Sequence, residues 1–205
     1  MPRLTVPVVP AGSLSRSPQP VLPAGGLLLR PWAVTDADAL VTAFADPAIQ
    51  RWHARTVETR SEAEAMIARY HREWRAEAGA HWAITEPASP GPAGPLPASS
   101  GPGLLGRAAL RTIDLEEGIA EIAYWVTPAA RGRGAASRAA AALSQWALGD
   151  LGLHRVELEH AVANTASCQV AGRAGFAYEG TRRSAARHAD GWHDMHLHAR
   201  VQGDA

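Results

Sequence analysis

The segment 121–148, EIAYWVTPAARGRGAASRAAAALSQWAL, constrains the fold of this chain more than any other. A strand ends at Thr127, Pro128 closes it, and RGRGAAS (131–137) leads directly into an Ala-rich helix. Gly132 and Gly134 allow positive φ and a close approach of the backbone to a ligand. The N–H groups of the helix's first turn then converge on one point, with the positive end of the macrodipole behind them. Arg131 and Arg133 add charge. Such a segment is either a simple strand-to-helix turn or a seat for phosphate or pyrophosphate.

The surrounding pattern predicts strands and helices in alternation. LLLRPW (27–32) reads as a short strand. Thr35, with Asp38 three residues on, reads as the cap of a helix running to about Asp46, before Pro47. Ser61 and Glu64 form a second such box, opening an amphipathic helix over 62–78 that Gly79 stops. HWAIT (81–85) and LLGRAALRTID (104–114) read as strands. Between them, 86–103 is a low-complexity insert whose six prolines exclude helix and central strand. It is a hairpin excursion or a linker. The second half reads strand 119–127, helix 134–149, strand 154–162, helix 165–174 and strands 176–181 and 191–201. Strands flanking long helices give an α/β or α+β class with a mixed sheet. Residues 1–26, rich in Pro, Gly and Ser, read as an extended or disordered arm, leaving 27–205 as one domain.

Composition removes several functions. All 20 basic residues are Arg, so chemistry that needs a reactive or phosphate-binding Lys is excluded; base-composition bias accounts for the missing residue type. Zero net charge speaks against a dedicated nucleic-acid binder. One cysteine, Cys168, excludes an internal disulfide framework and any multi-Cys zinc site. No apolar run approaches the ~18 residues of a membrane span. The Pro-broken N-terminus is no signal-peptide core. A cytoplasmic protein is the expectation.

The Gly-rich turn fits neither nucleotide fingerprint. Ser137 stands where G-x-G-x-x-G needs its third glycine, and there is no G-K-[ST]. Arg131-Gly-Arg-Gly134-Ala-Ala136 instead resembles the Arg-x-x-Gly-x-Gly/Ala acyl-CoA loop of the GNAT N-acetyltransferases. The resemblance covers about residues 27–200 and is nearest the RimJ/RimL branch of ribosomal-protein N-terminal acetyltransferases. LRPW, AEIAYWV, LGLHRVELEHAVANTAS, AGFAYEGTRR and DGWHDMHLHA follow that branch's pattern in order.

The resemblance implies a mixed, mostly antiparallel sheet, split by a V between two parallel central strands, with helices on both faces. It implies acetyl-CoA as cosubstrate, no metal, and a primary amine as acceptor: a protein N-terminal α-amine or a small amine. The family often dimerises, which leaves a homodimer open. In the implied ternary complex a base deprotonates the amine, the amine attacks the thioester, and the thiolate is reprotonated. Backbone N–H groups near Val126 would hold the pantetheine. Arg131, Gly132, Arg133, Gly134, Ala135 and Ala136 would cradle the pyrophosphate. Asn164 would contact the pantetheine arm, and Ser167 would lie near the sulfur as a proton donor.

Residue by residue, plainer readings stand beside these. Glu121 shares a strand face with Ile119, Ala123 and Trp125. It is the candidate base, or the ion-pair partner of Arg111. Tyr124 reads as core, with contact to substrate as the lesser alternative. Asn164 is a good N-cap with Ser167 at N3. Where many members of the family carry an acidic Tyr, four residues before the helix-ending Gly175, this chain has Ala171. Cys168 reads as a small buried residue. Trp192, Asp194, His196 and His198 share a face that borders the acceptor groove or is solvated; a metal there lacks a third ligand of suitable spacing. The Arg-rich stretches 51–75 and 182–187 read as solvated faces or as attractors of an anionic acceptor or the coenzyme's 3′-phosphate. Two rivals remain: a GNAT-fold module that binds acyl-CoA without turnover, and an RNA-binding protein using its Arg clusters.

Overall fold

The computed structural model describes residues 4–53, 56–87 and 103–204. One eight-stranded sheet runs in the order β1-β2-β3-β4-β5-β6-β8-β7. In chain order the strands are β1 (Leu22–Pro23), β2 (Leu28–Pro31), β3 (Gly79–Thr85), β4 (Leu104–Asp114), β5 (Ile119–Val126), β6 (Arg155–Ala161), β7 (Ala177–His188) and β8 (Gly191–Val201). The helices are α1 (Ala37–Phe44), α2 (Pro47–Gln50), α3 (Arg60–Arg75), α4 (Ala135–Gly149) and α5 (Thr165–Arg173). β5 and β6 are parallel, and the other neighbours are antiparallel. The mixed, mostly antiparallel α/β architecture is therefore the expected one. Most of the 86–103 insert falls outside the described residues, but β3 and β4 on either side of it pair antiparallel, as a hairpin would.

Two apolar layers sandwich the sheet. Trp82 and Ile84 of β3 join a core with α4 and α5, including Leu143, Leu148 and Phe176. Ala83 faces a second core with Trp32, Leu40, Phe44 and Ile67 from the α1–α3 side. Every residue of β3 is consequently buried, as a strand covered on both faces must be. Among the described residues, no helix is long and apolar enough to cross a membrane.

Several local readings move by a turn. The box that opens α3 is Thr59 with Glu62, two residues before the expected Ser61 and Glu64. Thr59 Oγ1 accepts from Glu62 N at 3.2 Å, while Glu62 Oε2 accepts from Glu58 N and Thr59 N. The same T/S-x-x-E pattern occurs twice, and the pair that also satisfies Glu58 N prevails. At the first helix Asp36, not Thr35 with Asp38, closes the turn. Its carboxylate accepts from Ala33 N at 2.8 Å and pairs with Arg30 in two bonds. Asp46 does not end a helix but begins α2, accepting from Ala48 N at 2.7 Å, with Pro47 at the first helical position.

The reading of residues 1–26 as an extended or disordered arm is amended by the packing of residues 8–24. Val9 and Leu14 are buried, Trp74 Nε1 donates to Ser17 O at 3.0 Å, and Trp82 Nε1 donates to Pro20 O at 2.7 Å. Glu77, at φ 57°, accepts from the amides of Gly12, Leu14 and Ser15 at 2.7, 2.7 and 3.1 Å. Burial would raise its pKa, yet these amides hold it below the ordinary value. Apart from the two-residue strand β1, residues 8–24 form no helix or strand, and buried apolar side chains and satisfied amides order the segment instead.

Candidate active site

The site begins where the sheet parts. β5 and β6 pair through Ile119↔Arg155, Ala120↔Val156 and Glu121↔Glu157. Among the described residues the ladder stops there, while β5 runs on to Val126 and β6 to Ala161. The freed edge of β5 presents backbone donors and acceptors to the gap, the arrangement an extended polar chain needs in order to add as a strand would. β4 keeps the far end of β5 in place. A Cβ at Gly106 would lie 2.2 Å from Trp125 O, so only glycine lets the two strands meet there.

Two cavities, each of about 350 Å³, open on the gap and share Trp52, His53, Tyr124, Asn164 and Ser167. The first extends along Trp125, Val126, Arg131, Ala136 and Val170 toward the start of α4. That start carries no side-chain cap: Gly134 is the capping residue, at φ 71°, with Gly132 at φ 70°. A side chain there would be strained, and none covers the first-turn amides. Arg131 Nη2 pairs with Asp46 Oδ1 at 3.0 Å, and this bond, outweighing burial, lowers the Asp46 pKa. Arg138 binds the carbonyls of Arg133, Gly134 and Gly25, bracing the turn from behind. Its part was not visible in the sequence, because its partners are carbonyls and one of them lies 113 residues away.

Of the residues expected to hold coenzyme, Val126, Arg131, Ala136, Asn164 and Ser167 line this cavity. Gly132, Arg133, Gly134 and Ala135 form the turn that leads into it but do not line it. The Ala135 side chain is buried in the core, which leaves only its backbone for a ligand. Asn164 caps α5 as expected, its Oδ1 accepting from Ser167 N at 3.2 Å. Ala171 is buried, so α5 supplies no acidic hydroxyl at that position.

The second cavity is lined by Arg111, Glu121, Glu159, His160, His188 and Met195, among others. Glu121 reaches it, but not in the expected apolar setting. The antiparallel register sets Arg111 directly opposite, and Arg111 Nη2 binds Glu121 Oε1. Glu159 is likewise paired, with Arg182. Trp52 meets the edges of His188 and His193, at 5.4 and 6.0 Å between ring centres, forming an aromatic wall. The polar face expected at Trp192, Asp194, His196 and His198 does not line the cavity; Met195, on the opposite face of β8, does.

Two residues at the junction gain weight from the structure. Tyr124 packs against the larger core as expected, but it also turns its hydroxyl to Ser167 O at 3.5 Å, and burial pushes its pKa up to about 12. His53 lies on a short segment after α2 with no motif around it. Its Nδ1 meets Ile49 O at 2.7 Å; a carbonyl only accepts, so Nδ1 carries the proton and Nε2 the lone pair. Burial lowers its pKa, keeping the imidazole neutral near pH 7.

A family model described as "Acetyltransferase (GNAT) domain" matches residues 26–177. The chain belongs to the GNAT acetyltransferase family. It is an acyl-CoA-dependent N-acetyltransferase with the expected split sheet, and the family match ends at the start of β7, leaving the β7–β8 hairpin outside it. Solved structures share the fold. RimL, a ribosomal L7/L12 alpha-N-protein acetyltransferase in complex with coenzyme A, superposes with a TM-score of 0.76 at 19% identity, covering 91% of this chain and 100% of that one. Mycobacterium smegmatis RimJ, in complex with CoA-disulfide, gives 0.74 at 23%, covering 89% and 85%. The microcin C7 self-immunity acetyltransferase MccE, in complex with acetyl-CoA and AMP, gives 0.74 at 21%, covering 86% and 93%. Among curated proteins none matches this GNAT chain in sequence at a significant level.

Proposed function

We propose that this GNAT enzyme is a cytoplasmic RimJ/RimL-like acetyltransferase that moves an acetyl group from acetyl-CoA to the α-amine of a protein N-terminus. The observation that carries the reading is the meeting of two cavities at Tyr124, Asn164 and Ser167, where β5 and β6 part. One arm suits a coenzyme: an uncapped helix start and Arg131 for the pyrophosphate, then the free edge of β5 up to Val126 for the pantetheine. The other arm suits an amine on an extended chain, with paired carboxylates and an aromatic wall. Zero net charge supports a peptide over a nucleic acid as the partner. The RimL and RimJ likenesses support the branch, and MccE keeps a small-molecule amine as the second acceptor class.

The chemistry divides among named groups. Glu121, held by Arg111, offers a negative edge to the acceptor's ammonium. His53 Nε2, neutral and at the junction, takes the proton as the amine attacks. This moves the base from Glu121, the sequence-based choice, to a group that already bears a lone pair. Backbone N–H groups near Val126 polarise the thioester carbonyl. Ser167 and Tyr124 hydroxyls stand ready to hydrogen-bond the departing thiolate, and Ser167 is the proposed proton donor.

A thiol-release assay with acetyl-CoA, run across peptides of varied first residue and a set of small amines, tests the proposal. Turnover with peptide α-amines, located by mass spectrometry, is expected. Turnover with small amines alone reassigns the acceptor. Coenzyme binding without turnover for any acceptor turns the chain into a binding module.

A further inference from the structure

Beside the junction lies a cluster to which the transfer assigns no proton-moving role, although one member, His160, also lines the acceptor cavity. His160 comes from β6, His196 and His198 from β8, and Cys168 from α5. The β6–β8 register sets His196 opposite His160, and strand alternation returns His198 to the same face. One donor atom from each of the four side chains lies within 4.8 Å of all the others. His160 Nε2 and His198 Nε2 are 3.2 Å apart.

We propose that His160, Cys168, His196 and His198 form a closed, four-ligand site for one divalent transition-metal ion of the zinc type. Three imidazoles and one thiolate are the donor set that such an ion prefers over magnesium or calcium, which take oxygen ligands. Zinc–nitrogen bonds of about 2.0–2.1 Å and a zinc–sulfur bond of about 2.3 Å set tetrahedral ligand–ligand edges of roughly 3.3–3.7 Å. The His160–His198 edge is within about 0.1 Å of that range, and since no edge exceeds 4.8 Å the cluster closes with shifts of about 1 Å, within reach of small side-chain χ adjustments. His160 is also prepared in its tautomer. Its Nδ1 meets Ala161 O at 2.9 Å, so Nδ1 carries the proton and the Nε2 lone pair faces the cluster.

A further observation favours an ion over simple packing. His196 keeps a buried ring nitrogen, Nδ1, without a hydrogen-bond partner, so protein groups alone do not complete this polar cluster. Tyr178 packs edge-on against His196 and His198 at 5.1 and 5.4 Å, fixing the two rings. The four ligands fill the coordination sphere, which makes the site structural: it ties α5, and with it Asn164 and Ser167, to β6 and β8. The sequence showed only the His-x-His pair, because the third and fourth ligands come from 36 and 28 residues upstream of His196 on other elements.

The test is metal titration of the chelator-treated full chain, independent of any acetyl transfer. Zn²⁺ or Co²⁺ alone should bind at one equivalent. The Co²⁺ form should show thiolate-to-metal absorption in the near ultraviolet and the intense visible bands of tetrahedral cobalt. Cys168→Ala should abolish the near-ultraviolet band, and His196→Gln should weaken binding by more than about tenfold. In the unaltered chain, Zn²⁺ should slow alkylation of the Cys168 thiol and raise Tm. No saturable one-equivalent binding, a cobalt spectrum unchanged by Cys168→Ala, or alkylation indifferent to Zn²⁺ would overturn the proposal.

Discussion

The two arms of the site are built in opposite ways. The coenzyme arm comes chiefly from contiguous stretches: β5, the Gly-rich turn and the start of α4, then Asn164 to Val170 of the α5 segment, with Ala48 to His53 closing it from a distance. Its ligand groups are chiefly backbone amides, placed by glycine conformations and a missing cap. The acceptor arm is assembled from Trp52 and His53, Arg107 and Arg111, Glu121, Glu159 and His160, and the β7–β8 hairpin. Its chemistry is carried by side chains that the sheet brings together across long separations. Backbone sites are therefore tolerant of side-chain identity, while the acceptor arm depends on particular residues.

If that contrast holds, variants should separate binding from rate. The largest effect is expected at the junction: His53→Gln should lower kcat by about 10²–10⁴ with coenzyme Kd unchanged. A larger loss in Glu121→Gln than in His53→Gln would return the base to Glu121; the expected result there is a raised KM for the amine with a several-fold change in kcat. Next comes Gly134→Val. A β-branched residue at φ 71° costs about 1–2 kcal/mol, so coenzyme Kd should rise about tenfold while kcat at saturation is kept. Titration calorimetry and saturation kinetics on the same preparations read both quantities.

The pH profile sharpens the contrast further. His53 must be neutral to accept a proton, and its pKa lies below the ordinary 6.5. With the acceptor saturating, kcat should hold from neutrality down through pH 6.5 and fall only below it. His53→Gln should remove that acid limb. Stability follows the same sign. The unfolded chain protonates His53 near pH 6.5, whereas burial keeps the folded one neutral to lower pH. Below 6.5 the unfolded state binds more protons, so stability falls by up to about 1.4 kcal/mol per pH unit for this group. Urea midpoints measured between pH 7 and 5 check this. The smallest effect belongs to Tyr124→Phe. Loss of one hydrogen bond at the sulfur should cost about 0.5–1.5 kcal/mol, a few-fold in kcat.

Legibility in the sequence follows the same division. Strand β5, helix α4, the Asn164 cap and the glycine turn were readable because each is a local device with a local composition. The coenzyme arm was legible for that reason. What failed was non-local. Thr59 with Glu62 displaced Ser61 with Glu64 through one extra satisfied amide, a difference that the two identical patterns do not show. Residues 8–24 carry a composition typical of disorder, yet Glu77 and two tryptophans supply distant partners for their backbone. Tyr124 packs against the core as its central strand implies; the space beside its hydroxyl comes only from the divergence of β6. His53 and the partners of His196 had no sequence signal at all.

The central claim is that the two arms are separable, with His53, at their junction, moving the acceptor's proton rather than holding the coenzyme. Single-turnover transfer by His53→Gln, measured beside its coenzyme Kd, tests this most directly. The account predicts a rate reduced by about 10² or more with a Kd equal to that of the unaltered chain. An undiminished rate, or a Kd that weakens in step with the rate, would contradict it.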